Sequence, residues 1–303
     1  LQVMPDFVDA LNNLGIALQT LGRTQEAMES YKKALEINPN FPSAQNNLGV
    51  ANYQLGNVRE ALSRYQNAVD LSPDYFDGYQ NLGVALAFTG KLEEAATAYR
   101  KALDLKPDHP EVYNNLADVQ RRMGALELAI TSYETAIALK PDHADALNSL
   151  GNTLRDDKRL LEAVTSYKAA LAAKPDFAMA QHNIGTSLQE LGRTEEAITY
   201  LEQVDTTLSR PSLLECIYTL ANKSKFYREL KHITEKDQIN VAVAAISAFA
   251  SHQFNCPDPY PFCKNPLDFI REKNLLTHDI VDLNFLDVTA KDLLNLKLGG
   301  GNQ

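Results

Sequence analysis

The sequence predicts an all-α solenoid of six helix pairs, followed by a helical C-terminal cap and a proline-rich strap. Three observations carry that prediction. Prolines stand at Pro5, Pro39, Pro73, Pro107, Pro141 and Pro175, each 34 residues after the last. An alanine keeps phase with them at Ala27, Ala61, Ala95, Ala129, Ala163 and Ala197, as does a tyrosine at Tyr31, Tyr65, Tyr99, Tyr133 and Tyr167, with Leu201 in the sixth slot. A glycine recurs at Gly22, Gly56, Gly90, Gly124 and Gly192, with Lys158 the exception. Self-similarity at a fixed period of this length marks stacked supersecondary units rather than one globular core.

Each unit reads as two helices. The first runs from Asp9 to Leu21 and stops at Gly22, a residue suited to the left-handed C-terminal cap. The second runs from Thr24 to Ile37 and stops ahead of Asn38-Pro39, because proline disfavours helical geometry in the residue before it. Ala27 and its equivalents let two helices approach closely, and Tyr31 and its equivalents fill the space between neighbours. The units are placed at 8–41, 42–75, 76–109, 110–143, 144–177 and 178–211. Residues 1–7 read as the end of a preceding repeat.

This pattern resembles the tetratricopeptide repeat: Leu14-Gly15, Ala27, Tyr31, Ala34 and Pro39 follow in that family's order. It departs from the family where a tryptophan often opens the first helix. Leu11, Gln45, Tyr79, Tyr113, Leu147 and Gln181 stand there, and the chain has no tryptophan. The sixth unit decays in its second helix (LEQVDTTLSR), and its proline slips to Pro211. The resemblance implies a right-handed superhelix whose first helices line the concave face and whose second helices cover the convex one. It also implies an extended groove rather than a closed pocket.

The bulk properties narrow the function classes. Net charge is −10 and the isoelectric point is near 5.1, so phosphate backbones are repelled and nucleic acid is not expected as the partner. No apolar run approaches the roughly 18 residues of a membrane span. Three cysteines are too few for a disulfide framework, which fits a reducing, cytoplasmic setting. The sequence contains no glycine-rich phosphate loop, nucleophile elbow or His-Glu-x-x-His, so no catalytic residue and no cofactor are expected in it.

Functional candidates lie on the first helices. Taken at about 100° per residue, Ala10, Leu14, Ala17 and Leu21 share an apolar face, while Asn12, Ile16 and Gln19 lie broadly opposite, toward the groove. Asn13 falls on the shoulder between them. Its position reads Asn13, Asn47, Asn81, Asn115, Ser149 and Asn183, and the preceding one Asn12, Asn46, Gln80, Asn114, Asn148 and His182. Asparagine is a mediocre helix former, so a row of them needs a reason. A primary amide both donates and accepts, and one set per repeat suits the backbone of an extended polypeptide. An asparagine directly before Leu-Gly or Leu-Ala is similar to the asparagine ladder of the O-linked N-acetylglucosamine transferase superhelix. That resemblance implies backbone gripping by Asn13, Asn47, Asn81, Asn115 and Asn183, and it fails at Ser149. The competing expectation is structural: the same amides bond the adjacent repeat.

Two further series vary along the array. The Ile16 position becomes Val50, Val84, Asp118, Asn152 and Thr186, and the Thr20 position becomes Gln54, Phe88, Arg122, Asp156 and Glu190. The groove is therefore expected to be more apolar at its N-terminal half and more charged beyond. Arg121, Arg122 and Arg155 form a candidate basic patch for an acidic ligand group, with solvated arginines near a helix end as the alternative.

After Pro211 the period breaks. Residues 212–254 read as three helices that cap the last repeat, and 255–303 as a strap and tail rich in proline. His252, Cys256 and Cys263 lack a fourth partner at zinc-ligand spacing, so no metal is expected. The stretch ASHQFNCPDPYPFCKNPLDFI is similar to a segment of bacterial proteins in which such repeats precede a 2-oxoglutarate- and iron-dependent oxygenase domain. His109-Pro-Glu111 and His143-Ala-Asp145 match the spacing of an oxygenase pair but sit at repeat junctions and are read as structural. The expected function is a non-catalytic module holding an extended polypeptide. The alternatives are a substrate-recruiting arm of a larger enzyme and a scaffold that self-associates end to end.

Overall fold

The computed structural model of the chain describes residues 5–236 and 240–255, and all its described elements are helices. They divide into two compact units between Lys174 and Pro175. Residues 256–303, which hold Cys256, Cys263 and the proline-rich strap, lie outside the described residues, as do Leu1–Met4.

The first unit holds five helix pairs: α1 (Pro5–Thr20) with α2 (Thr24–Ile37), α3 (Pro42–Gln54) with α4 (Val58–Leu71), α5 (Phe76–Phe88) with α6 (Leu92–Leu105), α7 (Pro110–Arg122) with α8 (Leu126–Leu139), and α9 (Ala144–Asp156) with α10 (Leu160–Ala173). α3 and α7 begin on a proline, whose fixed φ and missing N–H suit a helix start. α1 begins at Pro5, so Pro5–Phe7 are part of the first helix.

In four of the five pairs a glycine of the first helix lies against the tyrosine of the second: a Cβ placed on Gly49 would stand 2.6 Å from Cε1 of Tyr65. In the α7–α8 pair the buried Ala117 holds that place. The alanines at 27, 61, 95, 129 and 163 are fully buried, and the five tyrosines are at most 3% exposed. α2, α4, α6 and α8 each also pack on the first helix of the next pair. This buries Leu48, Leu82, Leu116 and Leu150 to between 1% and 7% exposure. First helices touch the first helices of adjacent pairs, whereas second helices make no comparable approach to one another. The first helices are therefore the more closely spaced layer.

The apolar face expected on α1 is not buried. Leu14 is 50% exposed, and Ala10 and Ala17 are also exposed, with no described helix before α1 to cover them; Leu21 is 72% exposed. The Leu21 position is a surface position in other repeats as well: Leu55 is 47% exposed and Met123 39%. It falls past the last helical turn.

The turn after each first helix is a Schellman closure. Arg23 N donates to Leu18 O (2.9 Å) and Gly22 N to Gln19 O (3.0 Å), with Gly22 at φ 74°. Lys158 adopts the same conformation without being glycine, at φ 65°, and its turn closes through Arg159 N to Leu154 O at 2.8 Å. Backbone geometry dictated by the two flanking helices overrides the residue's own preference.

The second unit holds α11 (Ala178–Glu190), α12 (Thr194–Leu201), α13 (Ser209–Thr219), α14 (Lys223–Lys236) and α15 (Val241–Gln253). α12 has 8 residues where the second helices of the first unit have 14. α13 starts within the span expected for the sixth repeat and forms a pair with α14 of the same design. Its turn closes at Ala221 (φ 54°), with Ala221 N to Tyr218 O at 2.8 Å and Asn222 N to Ile217 O at 3.4 Å. Phe226 and Leu230, both fully buried, stand four residues apart, as Ala197 and Leu201 do 29 residues earlier. The shortened second helix thus shifts the register without ending the helix-pair pattern. α15 packs on α13, and Tyr218, Phe226, Tyr227, Phe249 and Phe254 form an aromatic cluster with ring centroids 5.4–6.4 Å apart.

Candidate functional site

The amides of the first helices are brought into contact from one repeat to the next. Asn47 Nδ2 donates to Asn12 Oδ1 at 3.0 Å, and Asn81 Nδ2 donates to Asn46 Oδ1 at 2.9 Å. Both bonds join residues 35 positions apart, and Asn46 Nδ2 reaches Asn47 Oδ1 at 3.4 Å. Asn12, Asn46 and Asn148, which helical phase sets toward the groove, are buried at 4–8% exposure. Asn13 is exposed, Asn47, Asn81, Asn114 and Asn115 are half-buried, and Asn183 in the second unit is buried. A buried amide that meets another amide satisfies donor and acceptor together, which makes this pairing cheap to bury.

The pattern is interrupted at α7. Asn115 makes no side-chain hydrogen bond to the described residues. Asn114 Oδ1, buried, has no partner, and Asn114 Nδ2 makes only a 3.5 Å approach to Asp118 Oδ2. The residue that would complete this rung is Ser149, whose side chain is too short and which interacts with the Tyr133 hydroxyl instead. The amide row therefore has locked rungs at its N-terminal end and open ones at α7.

The tyrosine hydroxyls also reach the first-helix layer, a role the sequence reading missed. Tyr31 OH donates to Gln19 Oε1 (2.9 Å), and Gln19 Nε2 donates onward to Gln54 Oε1 (2.9 Å). Tyr133 OH donates to Asp118 Oδ1, and Tyr167 OH to Asn152 Oδ1 at 2.8 Å. The signal was available: a buried tyrosine almost always brings its hydroxyl to a polar partner. Burial raises the Asp118 carboxyl above its ordinary value, against the lowering effect of the Tyr133 bond and of Arg121 and Arg122. Burial likewise raises the Tyr133 phenol, and Asp118 adds to that shift.

The arginines of the expected basic patch are not gathered on one ligand point. Arg121 Nη1 pairs with Asp156 Oδ2 at 2.8 Å, and Arg122 Nη1 donates to Ala87 O at 2.9 Å. Arg155 is half-buried on α9. Apolar groups dominate nearer the N-terminus: Ile16 is 44% exposed and Phe88 67%, and the Phe88 ring meets Tyr53 edge-on with centroids 5.8 Å apart. The two histidine pairs sit at helix starts. His109 rests against Phe76 with centroids 4.9 Å apart, and His143 Nδ1 accepts from Ala146 N at 3.4 Å. Among the described residues no His, Cys, Asp and Glu cluster is arranged to hold a metal, and no helix is long and apolar enough to cross a membrane.

Stacked helix pairs carrying a polar row on one layer define an α-solenoid of the repeat class. Models of the tetratricopeptide repeat match residues 20–56, 51–87, 89–124, 114–178 and 177–204, more than half of the sequence, and the chain belongs to that family. No curated protein matches the sequence. Among solved structures the chain is similar to MamA protein, with 27% identity, a TM-score of 0.53, and coverage of 58% of this chain and 96% of that one. It is also similar to pilF of Pseudomonas aeruginosa (20% identity, TM-score 0.58, 75% and 97% covered). A third similar structure is YrrB, described as a TPR protein with an unusual peptide-binding site (22% identity, TM-score 0.52, 57% and 89% covered). The latter two likenesses are of fold.

Proposed function

We propose that the chain is a non-catalytic interaction module that holds an extended polypeptide along the first helices of its N-terminal unit. The observation supporting this reading is Asn115. It stands in register with Asn47 and Asn81, half-buried, with neither half of its amide engaged by the described residues. Asn13, exposed at the other end of the row, offers the same pair of groups, and Asn81 retains its carbonyl oxygen. Asn12, Asn46, Asn114 and Asn148 serve as the supporting shell of this row, and Arg122 and Arg155 as its charged end. An amide that gives and takes one bond per repeat reads backbone and tolerates many side chains.

The test is a random dodecapeptide library displayed on phage and panned on the immobilised chain. Enriched peptides should lose about tenfold in affinity on Asn115→Ala, one net hydrogen bond, with the urea midpoint unmoved. No enrichment, or full affinity for the variant, sinks the reading.

A further inference from the structure

Phe88 and Arg122 occupy equivalent positions on neighbouring first helices, and the structure brings their elements into contact in an unequal way. Phe88 is the last residue of α5 and 67% exposed, held at its edge by Tyr53 from α3. Arg122 is the last residue of α7, and its Nη1 crosses to the carbonyl of Ala87, the residue before Phe88. That contact has a local cause. Carbonyls of the last helical turn lack intrahelical partners, and a cation is favoured at that end of the dipole.

The contact uses one of five guanidinium N–H groups. Among the described residues Arg122 makes no salt bridge: it acts on Asp118, four residues earlier on its helix, only through its charge, and Asp156 is taken by Arg121. The result is an exposed Phe88 ring backed by the half-buried Tyr53, with a positioned guanidinium beside it.

We infer that this corner is a specificity subsite for a polypeptide segment in which a bulky apolar side chain lies next to an Asp or Glu. The inference rests on the peptide-holding reading above and names what that site selects. Tyr53 and Phe88 supply an aromatic platform for the apolar group, and a fork of N–H donors faces the carboxylate. The net charge of −10 works against acidic ligands in general, but screening over about 8 Å at physiological salt confines the relevant field to the corner itself. A side-chain carboxylate is assigned rather than a chain terminus, because α9 packs on α7 beyond Arg122 and the same layer continues past the corner.

The same phage selection tests this separately from the module reading. Enriched dodecapeptides should carry an aromatic or large aliphatic residue beside Asp or Glu. Synthetic copies with the acid changed to its amide should bind about tenfold more weakly, as should the originals on Phe88→Ala or Arg122→Gln. Both residues are exposed, so the variants should unfold at the parental urea midpoint. Peptides that bind and depend on Asn115 yet lack the apolar–acidic pair overturn the subsite and leave the module reading standing. Peptides that carry the pair but bind Phe88→Ala and Arg122→Gln at full affinity overturn it as well. A selection with no enrichment overturns both.

Discussion

Asn47 Nδ2 and Asn12 Oδ1 meet at 3.0 Å between neighbouring first helices, with Asn12 only 6% exposed. The bond makes a residue with poor helix propensity a strut between repeats. Asn47→Ala would leave a buried carbonyl without its donor, which costs about 1–3 kcal/mol. We expect a lowered urea midpoint for Asn47→Ala and for Asn81→Ala, and none for Asn115→Ala. Equal midpoints for all three would show that the locked rungs carry no stability.

The broken rung can be repaired. Ser149→Asn should bring an amide donor to Asn114 Oδ1, which is buried without a partner. The expected gain is about 1 kcal/mol, the net worth of one buried hydrogen bond. An unchanged or lowered midpoint in urea denaturation would show that losing the Ser149 contact with Tyr133 outweighs it.

Lys158 sits at φ 65°, where its repeat equivalents are glycine. Left-handed backbone costs a side-chain-bearing residue about 1–2 kcal/mol, and glycine gives part of that back as chain entropy. Lys158→Gly should therefore raise stability by about 1 kcal/mol. A calorimetric scan checks the sign.

Gly49→Ala sets two effects against each other. Alanine is favoured over glycine in a helix by about 1 kcal/mol. Its Cβ would lie 2.6 Å from a Tyr65 ring carbon that is itself buried at 3% exposure, and overpacking of this kind costs about 1–3 kcal/mol. We expect a net loss. Ala117, buried at the equivalent place on α7, makes Ala117→Gly the informative partner variant.

Burial pushes the Cys216 thiol up to about 12 and the Tyr31 phenol to about 12, and raises Tyr65, Tyr99 and Tyr133 as well. These groups ionise at 9.0 and 10.0 when unperturbed. Their contribution to stability is whole below those values and is lost as the pH rises toward 12. Urea midpoints at pH 8, 10 and 11 should fall in that order.

The sequence by itself determined the helix pairs, their 34-residue phase and the packing residues, because each follows from local rules repeated in register: Pro39 stops a helix, Gly22 caps one, and Ala27 and Tyr31 set a close approach. It also located the amide row. What it left open was whether those amides face a ligand or each other, since helical phase alone sends Asn12 toward the groove. Tertiary structure decided that Asn12 and Asn46 are buried struts, that Asn115 is open, and that Leu14 is uncovered while Leu48 is not. It also showed a further helix pair, α13 with α14, behind a 29-residue step that breaks the sequence period. The physical reason is the same in each case. A side chain's environment in a stacked array is set by the neighbouring repeat, and a periodic sequence says what each repeat contains but not what lies beside it.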